Sequence, residues 1–164
     1  MYINNAVIIK NHIMNNIKGL YMTGVLRRKE DEIKELIFIT KRPINDIFNE
    51  LNYYYWDDLH FIQRSPDYIS YVFKSEYGRI DLTIYIANDD YEYKFLKWYY
   101  NMNIDELNKY SELAKHKGLL LTNRGLKKGD LFIRIPTLKT LKKALNKWNF
   151  NDYEKTNNEN NIKL

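Results

Sequence analysis

The stretch "GVLRRKEDEIKELIFIT", residues 24–40, sets a glycine and two arginines ahead of a run of acids and then an apolar segment. Gly24 at the end of a short strand permits a sharp turn. A helix entered from such a turn aims unpaired backbone N–H groups at whatever lies over it, which suits an anion. Arg27 and Arg28 leave the backbone in different directions, so one guanidinium can fork onto a phosphate while the other pairs inside the fold. A plain helix start would use the same residues, and the motif alone does not choose between the two. A carboxylate stands in "GRIDLTIYIA", where strand alternation puts Arg79, Asp81 and Thr83 on one face and Ile80, Leu82 and Ile84 on the other. Asp81 is either the partner of Arg79 or a lysine on a wet sheet face, or a metal ligand shared with a neighbouring strand. Glu35, leading "ELIFIT", is the second carboxylate such a site would use. Two-metal nucleotidyl transfer normally wants three carboxylates, one of them bridging, and here two are in place.

The remaining chemistry is narrowed by what is missing. The absence of cysteine excludes disulfides, thiolate zinc sites and cysteine nucleophiles, and His12, His60 and His116 are too scattered for an H-x-x-x-H zinc pair. Any metal should therefore be oxygen-bound. No apolar run approaches the roughly 20 residues of a membrane span, and the N-terminal segment lacks the basic start and apolar stretch of a signal peptide, so an intracellular, water-soluble protein is expected. Abundant Asn, Ile, Lys and Tyr with few alanines point to A+T-rich coding DNA, as in a virus, plasmid or organelle.

Charge is unevenly spread. Residues 115–148 carry ten lysines and arginines against Asp130 alone, a balance of +9 that leaves −4 for the rest of a chain whose net charge is +5. A polyanion-binding lobe has this footprint, because each lysine or arginine displaces a condensed counterion from a phosphate backbone; a solvated basic face is the alternative. The candidate contacts are Lys115, Lys117, Arg124, Lys127, Lys128, Lys139, Lys142 and Lys143.

Several elements must position these groups. Helical spacing of apolar residues predicts an opening helix over 5–18, followed by a short strand "LYMTG" into Gly24. "ELIFIT" reads as a strand buried on both faces, and Pro43 as the start of a helix over "INDIFNEL". From Leu59 to Ala87 the pattern is of strands, "LHFIQ", "YISYVF" and "RIDLTIYIA", with turns at Ser65-Pro66 and near Gly78. Two helices over 89–117 break near Asn101 to Asn103, and "GLLLTNRGLKKGDLFIRIP" alternates short strands with glycine turns. Thr137 caps a last amphipathic helix carrying Leu138, Leu141, Ala144, Leu145 and Trp148 on one face. The "YYYW" run, 53–56, offers base stacking, but packing at a helix–strand junction explains it better. The expectation is an α+β protein: a mixed sheet with helices over residues 1–102, a small basic α/β lobe over 103–150, and a tail over 151–164 too polar to fold alone.

In order and spacing these segments resemble the palm and thumb of family X DNA polymerases, above all the small viral members that lack the N-terminal lyase and fingers regions. "GVLRR" resembles G-S-x-R-R, and "RID" resembles the third catalytic aspartate with its preceding arginine. "WYYNMN" lies where the family has Y-F-T-G-S. "AKHKGLLLTNRGLKKGD" resembles the thumb stretch A-x-x-K-G-x-x-L-N-x-x-G-L, and "IPTLKTLKKAL" the closing P-x-x-[ST]-E-x-x-[IL] helix. Together they span residues 20–150. The resemblance implies a nucleotidyltransferase that adds deoxynucleoside triphosphates to primer-template or gapped DNA in repair of the encoding genome. Magnesium, or manganese in its place, would sit at Glu35 and Asp81. Gly24, Val25, Arg28, Arg79, Tyr99, Tyr100 and Asn101 would contact the nucleotide, with Tyr100 set against its sugar as a gate.

Three departures bear on activity. Val25 replaces the phosphate-binding serine, Met102 replaces the glycine of the nucleotide turn, and the D-x-D that should lead the second strand reads Ile33-Lys34-Glu35. The nearby acids Glu30, Asp31 and Glu32 are the alternatives for the missing ligand. Loss of a bridging carboxylate costs orders of magnitude in rate, so the expectation is weak or absent catalysis; the alternative is an inactive homologue serving as a nucleic-acid-binding or assembly subunit.

Overall fold

The computed structural model describes residues 1–24, 32–134 and 143. Val25, Arg27, Arg28, Glu30, Asp31, Lys139, Lys142, the helix after Thr137 and the tail lie outside them. The chain divides into two units, Met1–Asn101 and Met102–Leu164.

In the first unit, helix α1 (Ile3–Asn16) turns Ala6, Ile9 and Ile13 inward at helical spacing. Strand β1 (Tyr21–Met22) is short, and β2 (Glu35–Thr40) is buried from Leu36 onward, leaving Glu35 exposed at its head. Helix α2 (Ile44–Tyr55) begins after Pro43, whose carbonyl accepts the N–H groups of Asp46 and Ile47, and buries Ile47, Leu51 and Tyr55 four residues apart. Only Tyr55 of the aromatic run joins the core. Tyr53, Tyr54 and Trp56 are exposed, so the expected junction packing holds for one ring of the four. Strands β3 (Leu59–Arg64), β4 (Tyr68–Ser75) and β5 (Gly78–Ile86) form an antiparallel meander, and helix α3 (Asp90–Asn101) follows.

The sheet order is β1-β2-β5-β4-β3, with β2 and β5 parallel and the other pairs antiparallel. Side-chain alternation gives this sheet two faces with different fates. Leu36 and Phe38 of β2, Ile80, Leu82 and Ile84 of β5, and Ile69, Tyr71 and Phe73 of β4 pack with α1 and α2 in the main core. On the other face Ile39 packs with Ala87 and with Leu96 of α3, alongside Tyr21, Tyr85, Tyr93 and Tyr100. Glu35 and Asp81, at the other end of the paired strands on this face, are themselves exposed.

The second unit begins with α4 (Ile104–His116). Its Asn103 cap accepts the Glu106 N–H at 2.8 Å, with Asp105 and Glu106 in the first turn and Lys115 and His116 in the last, as the helix dipole favours. The strands β6 (Leu120–Thr122), β7 (Gly125–Lys128) and β8 (Leu131–Ile133) form an antiparallel three-stranded sheet against α4. Its tight turns place Gly125 at φ 135° and Gly129 at φ 59°, a region that glycine enters without steric cost. Among the described residues no helix is long and apolar enough to cross a membrane.

Candidate functional site

The parallel register pairs Glu35 directly with Asp81, followed by Leu36 with Leu82 and Ile37 with Thr83. Directly opposed residues point to the same face, so the two carboxylates stand side by side at the head of β2, both exposed. The Asp81 N–H donates to the Lys34 carbonyl at 3.3 Å, which fixes the strand at that point. Partial burial, and then the neighbouring Asp81 charge, raise the Glu35 pKa from its ordinary value. Among the described residues no ion pair joins Asp81 to Arg79, so the partner of Asp81 in the sheet is another acid.

Cations stand one step along the same face. Arg79 is two residues before Asp81 and lies opposite Lys74 of β4. Lys74 was not found from the sequence, although counting the hairpin register outward from Gly78 reaches it. In the other direction Ser70 and Thr83 share a hydroxyl hydrogen bond of 3.2 Å, and beyond them Tyr85 stacks on Tyr100 with centroids 4.8 Å apart and an interplanar angle of 19°. Tyr85 is four residues from Asp81, about 13 Å along an extended strand. One face of the Tyr100 ring is thereby taken. Tyr99 meets Tyr100 edge-on, and burial raises its hydroxyl pKa.

The turn at Gly24 differs from expectation. Its own N–H is not free for an anion, because it donates to Asn101 Oδ1 at 2.5 Å, while Asn101 Nδ2 donates to the Tyr21 hydroxyl at 2.9 Å. The Thr23 N–H is likewise committed, to the Ile37 carbonyl at 3.1 Å. Asn101 is therefore a brace between β1 and the end of α3, with its amide engaged at both ends. The glycine is favoured by close approach and not by its dihedral angle: a Cβ there would sit 3.0 Å from Asn101 Oδ1 and 3.4 Å from its Cα.

Ile33 is no vacant ligand position. Its side chain is 1% exposed within the main core, and its backbone is bracketed by Met1, donating to the Met1 carbonyl at 2.8 Å and accepting from the terminal amine at 3.2 Å. Glu32 forms an ion pair with that amine at 3.6 Å. Among the described residues no group of three His, Cys, Asp or Glu side chains is placed to hold a metal. Met102 is buried.

In the second unit Lys115, Lys128 and Lys143 are exposed and Arg124 is half-buried. Lys127 is also half-buried, with Nζ 5.6 Å from the centre of the Phe132 ring. Lys117 departs from its expected role as a DNA contact. It is 7% exposed, and burial depresses its pKa to about 8, because the charged ammonium is poorly solvated there.

Among solved structures the chain is similar to the polymerase beta of Leishmania infantum in a ternary P/T complex, with 11% identity, a TM-score of 0.64, and coverage of 89% of this chain and 73% of that one. No protein-family model and no curated protein sequence matches. The chain has a polymerase beta-like fold.

Proposed function

We propose that the protein is a polymerase X-like nucleotidyltransferase of the small palm-and-thumb kind found in viruses, which binds primer-template or gapped DNA and whose degraded metal site gives weak or no catalysis. The observation that carries this reading is the Glu35–Asp81 pair, directly opposed and exposed on one face of a sheet whose fold is shared with a polymerase beta. A hard divalent cation fits these residues. Both donors are carboxylates, both side chains reach solvent, and a cation would relieve the mutual repulsion that contributes to the raised Glu35 pKa. Glu35 and Asp81 would hold magnesium, or manganese in its place. Bound there, the metal would neutralise phosphate charge and favour ionisation of an attacking hydroxyl.

The chain's own residues would supply binding and orientation. Arg28 would fork onto the triphosphate, and Tyr99 and Tyr100 would border the sugar; the order of the sequence motifs supports both roles. Arg79 and Lys74, on the carboxylate face, would add positive charge beside the phosphates. Lys115, Arg124, Lys127, Lys128 and Lys143, with Lys139 and Lys142, would follow the DNA backbone.

A second reading, an inactive homologue kept as a nucleic-acid-binding or assembly subunit, is favoured by the buried Ile33 where a first aspartate would stand. Primer extension across a one-nucleotide gap, with magnesium and with manganese, beside equilibrium binding of the same DNA, separates the two. Extension that Asp81→Ala abolishes supports the enzyme. Binding without extension supports the subunit, and the absence of both refutes the shared premise that DNA is the partner.

A further inference from the structure

On the sheet face opposite Glu35 and Asp81, a cavity of about 320 Å³ opens among α1, the end of α2 and the β4–β5 turn. Its inner wall is Ile9, Tyr55 and Phe73, each nearly fully buried, and its mouth is flanked by Ile8 and Tyr77, which are 43% and 38% exposed. Asp58 and Glu76 also line it, and neither lysine nor arginine does.

We propose that this cavity binds a small organic cation with an aromatic body. The volume falls at the small end of the range of about 300 to 1,000 Å³ typical of ligand sites, which suits an amine carrying one ring system and is too small for a nucleotide and its phosphates. Two carboxylates as the formal charges of the lining attract a cation and repel phosphate. Tyr55, Phe73 and Tyr77 beside them supply aromatic rings, whose faces attract an ammonium group. The apolar wall and the half-open Ile8 and Tyr77 provide surface that an occupant would remove from water.

Part of the wall is already set. The Tyr55 hydroxyl donates to the His12 carbonyl at 2.9 Å, accepts from Asn16 Nδ2 at 2.8 Å, and lies 2.9 Å from His12 Nδ1. These bonds hold the Tyr55 ring in place before a ligand arrives, so little ordering remains to oppose binding. The site is independent of the DNA reading, because its residues belong to neither the carboxylate pair nor the basic unit.

The test is calorimetric titration of the full chain at an ionic strength near 0.15 M, where long-range attraction is screened. The probes are tryptamine and indole-3-acetate, which share a ring system and differ in the sign of their charge. Tryptamine should saturate with a Kd on the order of 1 mM or tighter, and indole-3-acetate should bind at least about tenfold more weakly. The double substitution Asp58→Asn with Glu76→Gln, at positions that are not fully buried, should weaken tryptamine by about tenfold without changing the circular dichroism spectrum. Ile8→Trp, which fills the mouth, should abolish binding. Equal affinity for both probes, unchanged tryptamine binding by the double variant, or no saturation by tryptamine at several millimolar would each overturn the proposal.

Discussion

Glu35 lies directly opposite Asp81 in the parallel β2–β5 register, and the Asp81 charge adds to burial in raising the Glu35 pKa. The pair is electrostatically unfavourable when both groups are ionised, so it marks where the sheet gives up some stability for a local concentration of negative charge.

The pH dependence of stability follows from that shift. A carboxyl whose pKa is raised on folding contributes stability that is fully present below its unfolded pKa and is lost as pH rises through the higher folded value. The Glu35 contribution should therefore decline from the ordinary carboxylate range upward, and the stability of wild type relative to Glu35→Gln should fall over that range. Magnesium should raise the neutral-pH melting temperature of wild type and leave that of the Glu35→Gln, Asp81→Asn double variant unmoved. Thermal unfolding from pH 4 to 8, with and without magnesium, measures all three.

Gly24 and Asn101 form a second testable contact. Gly24→Ala places a Cβ 3.0 Å from Asn101 Oδ1 and 3.5 Å from its carbonyl oxygen, and should cost about 1–3 kcal/mol through overpacking. Asn101→Ala leaves the Gly24 N–H without its acceptor and should cost a similar amount. Because the Asn101 side chain supplies the tightest contact, Gly24→Ala should cost less in the Asn101→Ala background. Additive costs in urea unfolding would contradict this coupling.

Restoring the absent aspartate is expected to fail for a structural reason. Ile33→Asp buries a carboxylate in the apolar core beside Met1, at a cost of roughly 3 kcal/mol or more, and gains no ligand beside Asp81. Denaturant midpoints should fall sharply, with no rise in magnesium-dependent extension even when Glu35→Asp accompanies it. A stable variant with gained activity would show that the segment before β2 repacks and brings residue 33 to the metal.

Lys117 and its neighbours should separate stability from DNA binding. Lys117→Met removes the pH dependence that the depressed lysine pKa gives the fold: relative to the variant, wild type should gain stability as pH rises from about 8 towards the ordinary lysine pKa, where the unfolded chain also sheds its proton. The salt dependence of DNA affinity should not change. Reversing the charge of Lys127, Lys128, Lys142 and Lys143 should instead flatten the log–log salt slope, by roughly 0.9 for each phosphate that is no longer neutralised. Both variants can be followed in one fluorescence-anisotropy titration series.

Properties that depend on near neighbours were legible in the sequence. The alternation of Arg79, Asp81 and Thr83, the buried run after Glu35, the break at 101–103 and the glycine turns of the second unit each follow from the repeat of a strand or helix, or from glycine's freedom at a tight turn. The candidacy of Glu35 and Asp81 could be stated on the same basis, but their opposition could not, because a one-residue slip between β2 and β5 would have sent one carboxylate to the core face. Other outcomes depended on residues far apart along the chain. Asn101 reaches back 77 positions to take the Gly24 N–H, and Met1 reaches forward 32 to hold Ile33 against the core. Among the described lysines and arginines of its region, Lys117 is the one that chain packing buries. Local periodicity reports which way a side chain leaves its own element; whether that direction meets water, a partner or the core is set by what the rest of the chain places there.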